Sequence, residues 1–181
     1  MKKRYLYVAM GCIMASACST KSTNQHAEET RTQEMAPVNT FIGNRFSDIS
    51  LPDTEGKEVK LSQLVAKNRY TLVEFWESSS DSCLQEIPHL ASSYNDFHNR
   101  GLGVVSVSLD ENKESWKAAI EKHHMTWNHL VDAKGWNGKA ALQYGVTHLP
   151  AMVLIDQNGI IIARDLKGEQ LENKLMELMG C

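Results

Sequence analysis

Three observations in this sequence of 181 residues predict an α/β fold with a mixed central sheet. Apolar, β-branched runs at 70–75 and 103–109 are separated by an amphipathic helical stretch; such a crossover makes the two strands parallel and right-handed. Further on, an apolar run at 151–155, the turn Asp156-Gln157-Asn158-Gly159 and a second run at 160–164 read as a hairpin, which adds an antiparallel pair. A second hairpin signal stands earlier, where Pro52 and Gly56 punctuate the segment between residues 46–49 and 58–61.

The elements follow in order. Lys2, Lys3 and Arg4 precede a short apolar run and then Ala15-Ser16-Ala17-Cys18, the plan of a secretory signal over residues 1–17. Small residues directly before a cysteine resemble the lipobox of bacterial lipoproteins, with Ala15 where that family usually has Leu. The resemblance implies cleavage before Cys18, lipid on Cys18, and a membrane-anchored protein of the bacterial periplasm or cell envelope. A cleaved signal without lipid is the other reading. Residues 18–40 are polar and read as a flexible tether, because they bury too little apolar surface to offset their ordering entropy. The folded domain is expected over 41–181.

Within it the front hairpin leads to one helical turn at 61–65 and the buried strand 70–75. A helix over 83–99 carries Leu84, Ile87, Leu90, Tyr94 and Phe97 near helical spacing and ends at Gly101. The run 103–109 suits an interior strand. A helix at 113–123 presents Trp116, Ala119 and Ile120 on one face. A strand at 129–131, a helix at 137–144 stopped by Gly145, the C-terminal hairpin and a last helix with Leu171, Leu175 and Leu178 inward complete the chain.

Composition excludes several functions. A net charge of −3 implies no nucleic-acid partner. His123, His124 and His129 join no set with metal-ligand spacing, so no metal is expected and these histidines read as exposed or interfacial. No cofactor motif occurs. The four cysteines, Cys12, Cys18, Cys83 and Cys181, form no Cys-x-x-Cys pair.

The chemistry-bearing stretch is Phe75-Trp76-Glu77-Ser78-Ser79-Ser80-Asp81-Ser82-Cys83-Leu84-Gln85-Glu86-Ile87-Pro88, a strand, a polar turn with one thiol, and a helix start. With the hairpin 51–62, Phe75-Trp76, Glu86-Ile87-Pro88, and Tyr144-Gly145-Val146-Thr147-His148-Leu149-Pro150, it resembles the thioredoxin superfamily. The match is to its TlpA/ResA-like extracytoplasmic branch, grouped with the redoxin and alkyl-hydroperoxide-reductase families. The resemblance covers residues 43–179. It implies a thioredoxin-like fold and a cis-proline at Pro150. It also implies a groove formed by Trp76, Leu149 and Pro150, with core packing as the other reading of Trp76, and a proton-transfer role for Glu86. A trans Pro150 would merely start a strand, and Glu86 also reads as a solvated first-turn carboxylate.

The sequence departs from the branch at the motif itself. Ser79-Ser80-Asp81-Ser82-Cys83 stands where the family has Trp-Cys-x-x-Cys, so Ser80 replaces the attacking cysteine and Cys83 is the resolving one. A hydroxyl neither ionises usefully nor forms a disulfide, which excludes the dithiol mechanism. Ser80 reads either as a helix N-cap or as a polar neighbour of the Cys83 sulfur. The spacing Ser80-x-x-Cys83 also resembles the Thr/Ser-x-x-Cys of peroxiredoxins, without that motif's proline and without an arginine near in sequence; Arg100 and Arg164 are the candidates. Glu77, Asp81 and Glu86 should disfavour the thiolate. The last helix should carry Cys181 too far from Cys83 for a disulfide, since ten residues of helix span about 15 Å.

Two functions follow. One is a thiol-redox or antioxidant oxidoreductase using Cys83, Ser80 and Glu86 on a thiol/disulfide protein or a peroxide. The other is a redox-inactive binding module, or a purely structural one, with a partner in the Pro150 groove.

Overall fold

The computed structural model describes residues 40–180. The leader, Cys12, Cys18, the tether as far as residue 39, and Cys181 lie outside the described residues. Thr40, expected at the end of the tether, is buried, and its carbonyl accepts a hydrogen bond from Arg164.

A two-stranded antiparallel sheet pairs β1 (Ser50–Pro52) with β2 (Glu58–Lys60). The first strand falls just after the expected 46–49. Leu51 is the inward residue, and the Asp53 carboxylate accepts from the amides of Glu55 and Lys57, each at 2.9 Å, which closes the turn. The short helix α1 (Leu61–Val65) leads into the main sheet.

That sheet has the order β5-β4-β3-β6-β7. Its centre is β3 (Tyr70–Trp76), parallel to β4 (Leu102–Ser108) and antiparallel to β6 (Ala151–Asp156). On one side β5 (Asn128–Val131) pairs parallel with β4; on the other β7 (Ile161–Arg164) closes the hairpin with β6. The crossover from β3 to β4 is α2 (Asp81–Phe97), extended by a 3-10 turn at His98–Arg100 that Gly101 ends at φ 103°. Next come α3 (Lys113–Lys122) and α4 (Lys139–Tyr144), which is shorter than the expected 137–144 because Gly135–Asn137 is a separate 3-10 turn. The last helix is α5 (Gly168–Met179), with Leu171 and Leu175 buried.

Strand alternation sorts the core into two faces. Val73, Phe75, Val105 and Val107 pack under α1 and α4; Leu72, Trp76 and Val104 pack under α2, α3 and α5 with Cys83, Ile87 and Leu90. Glu74 lies on the second face, inside the apolar layer, with no exposed surface. The sheet thereby brings the C-terminal end of β3, the start of α2 and the Leu149-Pro150 turn before β6 to one edge.

Candidate functional site

The turn between β3 and α2 is held from below. Asp110, just past β4, is buried; its carboxylate accepts from the Ser78 amide at 3.0 Å and from the hydroxyls of Ser78 and Ser108, each at 2.7 Å. Ser80 then takes extended backbone angles and caps α2, its Oγ accepting the Cys83 amide at 3.4 Å. Cys83 is therefore the third residue of the helix, with no accessible surface.

Ser80 fills both expected roles, because its hydroxyl also contacts the Cys83 sulfur. Burial pushes the Cys83 thiol above its ordinary value, hydrogen bonds from Ser80 and the Glu77 backbone oppose the rise, and the charges of Glu74 and Glu77 add to it. The thiol form is thus the resting one. The carboxylates that act on the sulfur differ in part from the three expected. Glu77 does; Asp81 is exposed. Glu86 lies in the second turn of α2, not the first, and its Oε1 accepts the Gly168 amide at 2.7 Å, tying α2 to the start of α5. The solvated first-turn reading of Glu86 is corrected accordingly.

Glu74 escaped the sequence reading. Burial carries its carboxyl from an ordinary 4.5 up to about 7; the Ser106 hydroxyl donates to Oε2 at 2.5 Å and Oε1 has no hydrogen-bond partner among the described residues. The Trp127 indole donates to Ser106 at 2.7 Å, and its ring stacks 5.8 Å from that of His129. His129 is buried, not exposed or interfacial. Burial drives it down to about 4. Its Nδ1 has no hydrogen-bond partner among the described residues, so the protonated ring would bury an N–H that none of them accepts. The one signal in the sequence was a single carboxylate inside Leu72-Val73-Glu74-Phe75-Trp76.

The Leu149–Pro150 peptide is cis. Leu149 is half-buried and Pro150 buried, and the Ser82 hydroxyl donates to the Leu149 carbonyl at 3.1 Å. Leu149 and Pro150 thus adjoin the start of α2. Trp76 does not border a groove, which corrects that expectation: its side chain points with Leu72 into the α2 face and has no exposed surface. Trp136 is the accessible indole, 43% exposed. With Glu77, Ser79, Asp110 and Glu111 it lines a cleft of about 660 Å³ beside the turn. Neither candidate arginine reaches the thiol. Arg164 donates to the carbonyls of Thr40 and Tyr144, and Arg100 to that of Gly180.

The model of the AhpC/TSA family matches residues 42–164. Thiol-disulfide oxidoreductase ResA of Bacillus thuringiensis subsp. konkukian is 28% identical over 138 residues, 76% of each chain. Among solved structures, the thioredoxin domain of a thiol-disulfide oxidoreductase from Bacteroides vulgatus superposes with a TM-score of 0.71 at 31% identity, covering 77% of this chain and 99% of that one. A thiol-disulfide oxidoreductase from Bacteroides fragilis gives a TM-score of 0.70 at 32% identity, over 75% and 99%.

Proposed function

The chain belongs to the AhpC/TSA family as a TlpA/ResA-like redox protein of the thioredoxin superfamily, and from that premise we propose that it works with a single thiol, Cys83, on disulfides or thiols of a protein partner. The observation that carries this reading is the position of Cys83 at the third residue of α2, one residue after Ser82, which is bonded to the carbonyl before cis-Pro150.

The reaction is a half-cycle. Cys83 gives up its proton, its sulfur attacks a partner disulfide, and the partner's S–S bond breaks. A mixed disulfide forms, and the displaced partner sulfur leaves as a thiolate that takes up a proton. Ser80 offers no second sulfur, so an external thiol, from a dithiol protein or a small reductant, must attack the mixed disulfide and return Cys83 to the thiol. The buried sulfur is reached only when the turn at Ser79–Ser82 and Leu149 part. Glu86 supports the site by fixing α2 to α5, and Leu149 and Pro150 form the partner-facing edge.

Export, lipid on Cys18 and residues 18–39 as tether belong to the same reading, supported by the leader pattern and the polar composition that follows it. Cys18→Ser should then move the protein from the membrane to the soluble fraction.

The test uses the full chain with an oxidised dithiol peptide as substrate and glutathione as reductant. A mixed disulfide on the Cys83 peptide, seen by mass spectrometry and absent in Cys83→Ser, is expected. No adduct at any pH from 6 to 9 would overturn the redox role. Sulfenic acid on Cys83 after peroxide, without any peptide adduct, would replace the protein partner by a peroxide.

A further inference from the structure

The cleft of about 660 Å³ beside the thiol-bearing turn takes no part in the proposed chemistry at Cys83. Leu84, the residue after Cys83, lines it together with Leu109 and Ala119. Its two ends differ in charge. Lys122 and His123 come from the C-terminal end of α3, whereas Glu77 and Glu111 come from the loops before that helix. Fixed contacts build the acidic end. The bonds from Ser78 to Asp110 join the Glu77 turn to the Glu111 loop. Gly135, at φ 56°, lies against the same loop: a Cβ there would stand 3.2 Å from the Leu109 carbonyl and 3.5 Å from Glu111 Oε1. The next residue is Trp136, 43% exposed, whose indole donates to the Glu77 side chain. One accessible indole thus stands between two carboxylates. Burial and the charges of Asp110 and Glu111 hold the Glu77 carboxyl above its ordinary value, against the bond from Trp136. Asp110 is occupied by Ser78 and Ser108, and among the described residues neither Glu77 nor Glu111 is in an ion pair.

We infer that Trp136 is a specificity-determining residue: with Glu77 and Glu111 it receives a lysine or arginine side chain that stands near the cysteine of a partner polypeptide, whose backbone lies along the cleft. Such a side chain matches the cleft in both of its parts. Its aliphatic stem covers Leu84 and the indole, and its charged head meets the ring and the carboxylates. An acidic side chain at that end would face two like charges. Ten residues of α3 span about 15 Å, which holds about four or five residues of extended chain. Lys122 and His123 then stand at the far end of the segment, so a basic residue is selected at the thiol end alone. A half-accessible tryptophan is also the residue type that most often carries binding energy at an interface. The inference rests on the single-thiol reading for the partner's cysteine. Its test uses peptides without sulfur, so it stands or falls apart from any mixed disulfide.

The experiment titrates the full chain with blocked pentapeptides in which serine stands for the cysteine. The readout is the indole N–H signal of Trp136 in NMR spectra, assigned as the one missing from Trp136→Phe. A peptide with lysine beside the serine should shift that signal and bind about ten-fold tighter than its glutamate counterpart at low ionic strength. Added salt should shrink the difference. Glu111→Gln should weaken the lysine peptide about three-fold, and Trp136→Ala, followed through the Ser78 and Ser79 amides, about ten-fold. Both side chains are exposed, so these variants keep the fold. Lysinamide alone should bind about ten-fold more weakly than the peptide, because the cleft also holds backbone. Lysinamide binding as tightly as the peptide would make the occupant a free cation and overturn the inference. So would equal affinities for the lysine and glutamate peptides, no binding of either, or lysine-peptide binding unchanged in Trp136→Ala and Glu111→Gln.

Discussion

Replacing Glu74 by Gln, and His129 by Asn in a second variant, should uncover two opposed pH dependences of stability that nearly cancel in the wild type. The Glu74 carboxyl rises from 4.5 to about 7 on folding. Between those values the folded protein holds more protons than the unfolded chain. Its contribution is therefore fully present below 4.5 and lost as pH rises through about 7. His129 falls from 6.5 to about 4, so its contribution is present above 6.5 and lost as pH falls through about 4. Each shift is worth about 3 kcal/mol across its window, the His129 share being the smaller because that ring keeps some exposure. Urea titrations from pH 4 to 8 at constant ionic strength, followed by circular dichroism, read the slopes. Glu74→Gln should gain stability relative to wild type as pH rises from 4.5 to 7. His129→Asn should lose stability relative to wild type as pH rises from 4 to 6.5. Surface groups common to all three proteins drop out of the difference curves. Difference curves flat to within about 0.5 kcal/mol would refute the buried-charge account of both residues.

Ser80→Cys should form a reducible disulfide with Cys83, detected by differential alkylation with and without dithiothreitol; a variant whose new thiol never bonds to Cys83 would show that Ser80 does not occupy the first position of the motif. Glu86→Ala leaves the Gly168 amide without its acceptor; a loss of about 1–3 kcal/mol in urea denaturation is expected, with the Cys83 alkylation midpoint changed little. Gly138→Ala would drive a methyl group into the Asp132 carboxylate, which accepts the Ala140 amide at 2.9 Å at the start of α4. A loss of at least about 1 kcal/mol is expected there, and a neutral substitution would mean that this carboxylate moves freely.

Much of the fold was legible because its signals are local. Alternating strands and helices, Gly101 and Gly145 as stops, and the turn at residues 156–159 each rest on neighbours in sequence. The strand at 46–49 was misplaced because Phe46 and Ile49 are apolar without belonging to a ladder: the Phe46 amide bonds Gly159 and the Ile49 carbonyl takes the Leu61 amide. The site was legible only in part. Ser80 as a cap follows from residue type and spacing, and so does the depth of Cys83 in the helix. The partners of Glu86 and Ser82 lie 82 and 67 residues away and leave no local trace. Trp76 looked like a groove residue from its place beside the motif. Strand alternation, counted from Leu72, already puts it on the buried face.

The same geometry explains how the motif changed without cost to the fold. An N-cap needs a short side chain with an oxygen, and Ser80 provides it better than a cysteine would. The third helical position faces the core, and Cys83 serves there as a small apolar side chain among Leu72, Trp76 and Ile87 whether or not it ever ionises. Structural demand is therefore met at both positions by residues that no longer form a redox pair. What remains chemical is the Cys83 proton, which burial and the charges of Glu74 and Glu77 hold on the sulfur while hydrogen bonds from Ser80 and the Glu77 backbone oppose them. Near neutral pH Glu74 is itself half ionised, and its charge opposes a thiolate on Cys83. With the sulfur buried and both carboxylates opposing its ionisation, the resting form of Cys83 is the thiol, and the proposed attack on a partner disulfide needs that local field to change.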